Sequence, residues 1–531
     1  MSQAIAEPGS GQTQTGEKWA ERFFINVLWS WLGVIASFFT GFFLSPYIIH
    51  KLGDKRYGIW ALAFAFIDYY TLFDFGFKSA VVNLISGFRA RGEDREINEV
   101  INTALFYFIV LGLLIFGLTW FSAPELHRFF KISPEYQHDF AILVRVIAVG
   151  WSAAISLSVF QGAIEGFQRF KTANHIWILS LIVRSGGSAL MLFLGHGLIA
   201  MGIVVTIAQF LSFGLTFLTV RRAFPAMRLS PVLARFSMWK RIASYGVHSF
   251  VAYLGNTLIT QAPPILIGHY QSEAFVGYYT LPSRLLQYVV ELVTRIGYVT
   301  MPNTAQLAAE GKKREIMLLG TYLNRYCLAL FLPLAIFLAV YGRALVQTWL
   351  GPSFAEHAAP LLPVFVLSTS LAVAGQFNSS QILFGLAKHD NYAKALIAEG
   401  ALALGAMIVL LPRYGIFGAA CAAAGFAVLN RAIVTPILLC RFMDYSLTRY
   451  LGQIYAIPLL IGVPMFGYAF WLSLHGIPGK NWFQLIGALA LIAVPCYIAC
   501  YFAAVEPDHR ALLRQWIAAR SGRLNRLGAA A

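Results

Sequence analysis

The chain contains one apolar run after another, each about 20 residues long, which is the length that a helix needs to cross a bilayer. Hydrophobic residues make up 58% of the 531 residues and charged residues 12%, against about 25% charged residues in ordinary globular domains. A water-soluble fold is therefore excluded, and the sequence predicts an all-α polytopic membrane protein with about fourteen transmembrane helices. The predicted spans are 23–49, 57–87, 101–122, 140–163, 174–195, 198–220, 242–268, 275–300, 317–340, 360–386, 391–411, 416–440, 452–474 and 482–504.

The connectors between these spans alternate in charge. Most Lys and Arg residues lie in every second connector, although the first outer loop, with Lys51, Lys55 and Arg56, is an exception. Because cytoplasmic loops carry an excess of Lys and Arg, the pattern predicts a bacterial inner-membrane protein with both termini in the cytoplasm. The pattern also accounts for the net charge of +16 without a nucleic-acid partner.

An internal repeat is the strongest sign of organisation. When the sequence is shifted by 219 positions, residues 90–97 fall on residues 309–316 and share Ala, Gly, Arg, Glu and Ile at matching places. Three further landmarks follow the same register, the last with a slip of one residue: Tyr57-Gly58 with Val276-Gly277, Glu165-Gly166-Phe167 with Phe384-Gly385-Leu386, and His196-Gly197-Leu198 with Tyr414-Gly415-Ile416. The four matches together indicate a duplication.

The duplication predicts five segments. We expect a disordered cytoplasmic tail (1–21), an N-terminal six-helix bundle (22–238), a C-terminal six-helix bundle (241–440), two additional transmembrane helices (441–504) and a basic cytoplasmic tail (505–531). Since each repeat has an even number of spans, both would enter the membrane in the same direction, related by a pseudo-twofold axis along the membrane normal. This symmetry is typical of transporters that alternate between inward-open and outward-open states.

Charged residues within the spans are candidates for function, because a charge at the bilayer centre costs about 2.5 to 3.5 kcal/mol on insertion scales. Cations outnumber acids there, which favours an anionic cargo, and the planar fork of Arg binds phosphate with two hydrogen bonds. The candidate cationic cavity residues are Arg284, Arg295, Arg145, Arg184, Lys78 and Arg431. Arg325 and Arg431 have the alternative of extending to the cytoplasmic face of the membrane.

Three acids and two prolines complete the candidate site. Asp68, Asp74 and Glu291 are ion-coupling or structural candidates, because Asp74 can pair with Lys78 and Glu291 with Arg295 at a spacing of four. Glu291 also shares one helical stripe with Arg284. We expect Pro263 and Pro264 to break the helical hydrogen bonding of the seventh span, which makes them gating candidates.

Three segments resemble the polysaccharide transporter branch of the multidrug/oligosaccharidyl-lipid/polysaccharide exporter superfamily, that is, the Wzx-type oligosaccharide flippases. The segments are Leu52-Gly53-Asp54-Lys55-Arg56-Tyr57-Gly58-Ile59-Trp60-Ala61-Leu62, Leu72-Phe73-Asp74-Phe75-Gly76-Phe77-Lys78-Ser79-Ala80 and Ala90-Arg91-Gly92. The resemblance implies a flippase that carries an undecaprenyl-diphosphate-linked oligosaccharide from the cytoplasmic to the periplasmic leaflet by alternating access, for O-antigen or exopolysaccharide biosynthesis. It also implies coupling to an H⁺ or Na⁺ gradient or to the membrane potential. The expected partners are the lipid-linked oligosaccharide, membrane lipids and polysaccharide assembly proteins, with no enzymatic activity and no cofactor.

Two other functions stay open at this stage. An ion-coupled multidrug or small-molecule exporter of the same superfamily would fit the topology, although a cavity for cationic drugs would require an excess of acids. A membrane glycosyltransferase or polysaccharide polymerase would be expected to have a larger outer catalytic loop than the predicted spans leave. No GxxxxGK[ST] stretch that would indicate an ATP-driven pump occurs. The five Cys residues lie in or beside apolar spans, so neither a disulfide framework nor a metal site is expected.

Overall fold

The computed structural model describes residues 36–68, 77–294, 300–386, 388, 390–511 and 514. These residues are almost entirely helical, and none of them lies in a β-strand, which confirms the all-α fold. The helices are α1 (36–52), α2 (Asp54–Asp68), α3 (Phe77–Arg91), α4 (Asp94–Ser122), α5 (Leu126–Phe129), α6 (Gln137–Gly166), α7 (Phe170–Phe193), α8 (Leu198–Ala223), α9 (Phe236–Tyr270), α10 (Glu273–Thr294), α11 (Thr300–Ala309), α12 (Lys313–Leu350), α13 (Pro352–His357), α14 (Leu361–Gly385), α15 (Asp390–Val428), α16 (Thr435–Met443), α17 (Leu447–His475) and α18 (Trp482–Ala503). A π-helical turn, Leu429–Val434, joins α15 to α16.

Nine helical segments within the described ranges are long and apolar enough to cross a membrane. One of them, Asp390–Met443, covers two of the predicted spans. Its helix α15 is interrupted at Gly415, where φ is +60° and ψ is −153°, a conformation that favours glycine. The chain is therefore a polytopic membrane protein, and the total of fourteen spans stays a prediction.

The expected loss of helical hydrogen bonds at Pro263 and Pro264 does not interrupt helix α9. Helix α9 continues from Phe236 to Tyr270 with both prolines inside it. Proline removes a backbone donor but its φ is close to the helical value, so the chain can pass through both positions without leaving the helix. The helical path is thus retained at the cost of the missing hydrogen bonds.

The chain divides into two compact units, Met1–Tyr253 and Leu254–Ala531, with the division inside α9. The first unit has a core in which Phe108, Val159 and Phe160 are buried between α4 and α6. The second has its own core, which includes Ile382 of α14 and Leu439 of α16. Each unit therefore buries apolar side chains of its own.

The repeat found in the sequence is also present in the backbone. Gly92 and Gly311, which are 219 positions apart, both have left-handed φ, +71° and +73°. The amide after each glycine donates to an equivalent carbonyl, Glu93 N to Phe88 O at 3.0 Å and Lys312 N to Leu307 O at 2.9 Å. A long helix then begins at Asp94 in one unit and at Lys313 in the other, so the two loops have one construction.

In each of these two loops a basic and an acidic residue form an ion pair, but their order along the chain is reversed. Arg91 Nε donates to Glu93 Oε1 at 2.8 Å, and Lys312 Nζ lies 2.7 Å from Glu310 Oε2. The hydrogen bond from Arg91 lowers the pKa of Glu93, and the hydrogen bond from Lys312 lowers that of Glu310. In each unit a base and an acid therefore flank the left-handed glycine.

A second pair of glycines sets the packing of equivalent helices. A Cβ on Gly166 of α6 would lie 3.0 Å from Ile85 Cβ and 3.2 Å from Val82 O of α3. A Cβ on Gly385 of α14 would lie 2.6 Å from Met301 O and 2.9 Å from Thr304 Cβ of α11, again 219 positions on. Helices α3 and α6, and likewise α11 and α14, approach so closely that a side chain does not fit.

The connector after α8 is fixed to α4 by side-chain amides. Asn98 Nδ2 donates to Ala226 O at 3.2 Å, and its Oδ1 accepts from Arg228 N at 2.7 Å. Asn102 repeats this pattern one turn later with Arg228 O at 2.7 Å and Ser230 N at 2.8 Å. The backbone of this connector therefore finds its hydrogen-bond partners on a helix, and the connector has a defined path across the first unit.

The segment after α18 folds against α12. Arg325, which is 5% exposed, donates from Nη2 to Glu506 Oε1 at 2.6 Å. Beside it, Tyr326 OH lies 2.7 Å from His509 Nδ1. Arg325 is thus paired with an acid of the segment that follows α18, and its extension to the cytoplasmic face stays a prediction.

Candidate functional site

A cavity of about 440 Å³ with both polar and apolar walls lies within the second unit, between α9, α10, α14 and the end of α15. Its volume falls in the range typical of small-molecule binding sites. Its polar lining consists of Asn256, Thr260, Ser283, Gln287, Glu291, Thr294, Ser368, Thr369, Gln376 and Arg431. Its apolar lining includes Tyr279 and Phe365, whose rings meet edge to face with centroids 5.4 Å apart.

Close backbone contacts hold the helices that frame the cavity. A Cβ on Gly255 of α9 would lie 3.0 Å from Ile397 N of α15, and one on Gly400 would lie 2.9 Å from Leu258 Cβ. A Cβ on Gly375 of α14 would lie 2.5 Å from Arg431 O. These crossings bring small residues together on one side, while the longer polar side chains of the neighbouring turns enclose the open space.

The π-helical turn Leu429–Val434 places Arg431 at the cavity wall. Its Nε donates to Glu399 Oε1 at 2.9 Å, and its Nη2 lies 2.9 Å from the same oxygen. Asn430 Nδ2 donates to the other oxygen, Glu399 Oε2, at 2.7 Å. The side chain of Glu399 is 1% exposed, so this carboxylate is buried, paired and fully used.

Helix α10 presents a different charge arrangement. Glu291 and Gln287 line the cavity, and both side chains are exposed. Arg284 is exposed too and lies on the same helical face, about 4.5 Å along the axis from Gln287 and about 10 Å from Glu291. Arg284 itself is not part of the cavity lining. Within the described part of the chain, neither Arg284 nor Glu291 forms an ion pair.

Three of the predicted cations belong to the first unit, each on a different helix. Lys78 of α3 pairs with Glu165 of α6, Nζ to Oε1, at 2.8 Å. Arg145 of α6 is partly buried, with its guanidinium 5.3 Å from the ring centre of Trp120. Arg184 is exposed on α7. Lys78 and Arg145 therefore each contact a side chain of their own unit, and a shared role of the three cations stays a prediction.

The remaining candidates divide between the cavity and the undescribed residues. Pro263 lines the cavity, and Pro264 is buried beside it in α9. Asp68 ends α2, but its side chain lies outside the described set, as do Arg295 and Asp74 altogether. The predicted pairs of Asp74 with Lys78 and of Glu291 with Arg295 stay predictions. No group of three His, Cys, Asp or Glu side chains in the described ranges could hold a metal ion.

Sequence reasoning missed the acids that neutralise two of the cations. Glu399 and Glu165 were available to it, because each is an acid in or beside an apolar run and a search for partners of Arg431 and Lys78 would have included them. The reasoning also missed Gln376, which donates to Tyr392 OH across the cavity wall. A neutral amide in an apolar span gives a weaker signal than a charge, so only the fold reveals it.

Residues 52–359 match the family described as "Polysaccharide biosynthesis protein". The match covers more than half of the chain. The chain belongs to this family. The resemblance to the polysaccharide branch of the exporter superfamily is thereby confirmed.

Two relatives are similar to this chain over most of its length. A protein of Shigella flexneri named "Putative O-antigen transporter" is 19% identical over 74% of this chain and 92% of its own length. A Bacillus subtilis protein named "Uncharacterized membrane protein EpsK" is 23% identical over 80% of this chain and 84% of its own length. The interpretation as a transporter and not an enzyme agrees with the functional name that the first of these carries.

Two solved structures share the fold at low sequence identity. "Lipid II flippase MurJ, inward closed conformation" has a TM-score of 0.71 and 13% identity, and the match covers 90% of this chain and 97% of that one. An inward-facing multidrug resistance MATE family transporter of the MOP superfamily has a TM-score of 0.65 and 16% identity, covering 77% and 95%. The fold is therefore one that known transporters use.

Proposed function

We propose that this protein is a flippase that moves an undecaprenyl-diphosphate-linked oligosaccharide from the cytoplasmic to the periplasmic leaflet of the bacterial inner membrane. The oligosaccharide would serve O-antigen or exopolysaccharide biosynthesis, and the movement would proceed by alternating access coupled to an ion gradient or to the membrane potential. The family and the naming of the Shigella relative support this class of cargo. Neither of them identifies the residues that hold the cargo.

The observation that carries the proposal is the position of Arg284 beside the cavity of the second unit. Arg284 lies near the middle of α10, exposed, and on the face whose next turns, at Gln287 and Glu291, line the cavity. Helix α10 is not one of the nine segments described above, but it overlaps the predicted span 275–300, and a guanidinium in a spanning helix is costly unless it meets water or an anion. Because no acid of the described residues neutralises it, Arg284 is available for the diphosphate, while the neighbouring cavity offers amides and hydroxyls to the sugars.

The test is replacement of Arg284 in cells that depend on the protein for surface polysaccharide. Arg284→Ala should stop lipid-linked sugar from reaching the periplasmic leaflet while membrane abundance stays normal, and Arg284→Lys should restore transport partly, because it keeps the charge but loses the planar fork. Arg343→Ala is the matched control, since Arg343 is an exposed arginine of α12 outside the cavity lining. Normal transport by Arg284→Ala would show that Arg284 does not hold the diphosphate.

An ion-coupled small-molecule exporter is the second candidate, and Glu291 is the observation that favours it. A carboxylate in a cavity, without an ion pair in the described residues, could take a cationic compound or a coupling ion. The two functions differ in cargo. Cells that export a cationic dye through this protein, yet keep normal surface polysaccharide after its deletion, would favour the exporter.

A further inference from the structure

The charges of the cavity in the second unit do not match those of a simple anion site. Arg431 is the one cation among the described lining residues, and three contacts from its guanidinium go to Glu399. Glu399 is buried and also holds Asn430, so release of Arg431 to a ligand would leave a buried carboxylate without its cation. Arg431 is therefore committed to the protein, and the pair contributes no net charge to the cavity.

Among the described residues, Glu291 is then the charge of the lining that has no ion-pair partner; Arg295, one turn further along the chain, lies outside them. Glu291 lies one turn beyond Gln287 on the exposed face of α10, and no cation of the described residues pairs with it. Two like charges about 4 Å apart repel each other by about 1 kcal/mol in bulk water and by about 4 kcal/mol where the effective dielectric constant is 20. A carboxylate-bearing group in this cavity would therefore bind more weakly than a neutral group of the same shape.

The neutral groups of the lining suit a hydroxyl-rich ligand. Asn256, Ser283 and Gln287 carry donors and acceptors that no other described side chain uses, and they come from two neighbouring helices. An amide both donates and accepts, as a sugar hydroxyl does, so each can serve either role. Tyr279 and Phe365 add an apolar wall against which the C–H face of a pyranose ring can pack.

We infer that this cavity is a subsite for an uncharged or amino sugar of the cargo and that Glu291 discriminates against acidic sugars there. The inference rests on the proposed function for the presence of a sugar, and it adds the charge class that the cavity accepts. Arg284 would remain the contact for the diphosphate, outside the cavity lining. Anion binding and sugar selection would thus be separated along one face of α10.

Equilibrium binding to the purified protein in nanodiscs tests this subsite without requiring transport. The probes are two farnesyl-diphosphate-linked disaccharides that differ at one carbon, a hexose CH₂OH group against the carboxylate of the matching uronic acid. The wild-type protein should bind the neutral probe about tenfold more tightly, as expected for a repulsion of about 1.4 kcal/mol. Glu291→Gln should bring the ratio close to one, and Gln287→Glu, which adds a second carboxylate one turn away, should increase it.

The control variant is Glu356→Gln, because Glu356 is an exposed acid of α13 outside the cavity lining, and its ratio should equal that of the wild type. Equal binding of both probes by the wild type, or a ratio that neither Glu291→Gln nor Gln287→Glu changes, would overturn the subsite. The binding preference tests the subsite, and the flipping activity tests the proposed function. A persistent preference without flipping would contradict the proposed function only, whereas flipping without a preference would contradict the subsite only.

Discussion

Arg431 and Glu399 form an ion pair with three contacts, in which the carboxylate is buried and the guanidinium faces a cavity. The Nε and Nη2 atoms of Arg431 each lie 2.9 Å from Glu399 Oε1. Such a pair is sensitive to the loss of one member, because the other is left charged and without a partner in a poorly solvated place.

The first prediction is that Arg431→Met is strongly destabilising. We expect a loss of about 3 kcal/mol of stability, since the carboxylate of Glu399 keeps only its bond from Asn430. Thermal unfolding of the purified protein in detergent measures the effect. The double variant Arg431→Met/Glu399→Met should lose less than the sum of the two single variants, and strict additivity would show that the pair is not coupled.

The second prediction concerns the close helix crossings of the repeat. Gly385→Ala should cost about 1 to 3 kcal/mol, because its Cβ would lie 2.6 Å from Met301 O, which is backbone and cannot rotate away. Gly166→Ala should be milder, since its nearest neighbours are at 3.0 Å. Gly117→Ala in α4 is the control, because its Cβ would meet nothing within 4 Å and should be neutral or slightly stabilising.

Some parts of the fold leave a strong pattern in the sequence and could be predicted, whereas others leave none. The spanning helices were predictable because the thickness of the bilayer fixes the length of each apolar run. The register of the repeat was predictable because Gly92 and Gly311 need a left-handed backbone that few other residues adopt. The continuous course of α9 through Pro263 and Pro264 was not predicted, since the missing donors of a proline are visible in a sequence, whereas the neighbouring helices that keep such a helix together are not.

The candidate site was predicted less completely, for a different reason. Charges in spans were found, but which acid meets which cation depends on helix packing, as for Lys78 with Glu165 and Arg431 with Glu399. Pairs four residues apart are visible in a sequence, whereas pairs between helices are not. The neutral lining of the cavity gives no charge signal at all.

The third prediction concerns the segment after α18. Glu506→Gln should loosen this segment from α12, because buried Arg325 loses its carboxylate. We expect faster amide hydrogen exchange in residues 504–511 and a loss of about 2 kcal/mol of stability. Asp508→Asn, in the same segment but exposed, should exchange like the wild type. Unchanged exchange in Glu506→Gln would show that the ion pair does not hold the segment.

The fourth prediction concerns the connector that α4 holds. Asn102→Ala removes the donor to Arg228 O and the acceptor for Ser230 N, so it should cost about 1 to 3 kcal/mol. Limited proteolysis should then cut between residues 226 and 235 faster than in the wild type. Asn83→Ala, at an exposed position of α3, controls for the loss of an amide as such. A cleavage rate equal to that of the wild type would contradict the role of Asn102.

Reconstituted flipping is the most direct test of the proposed function. Purified protein in liposomes, with an undecaprenyl-diphosphate-linked oligosaccharide confined to one leaflet and an ion gradient or membrane potential applied, should transfer the sugar to the other leaflet. The readout is accessibility to an enzyme that cannot cross the membrane. We expect transfer well above that of protein-free liposomes and a loss of transfer in Arg284→Ala but not in Arg343→Ala. Transfer no faster than in protein-free liposomes, with correctly inserted protein, would contradict the proposed function.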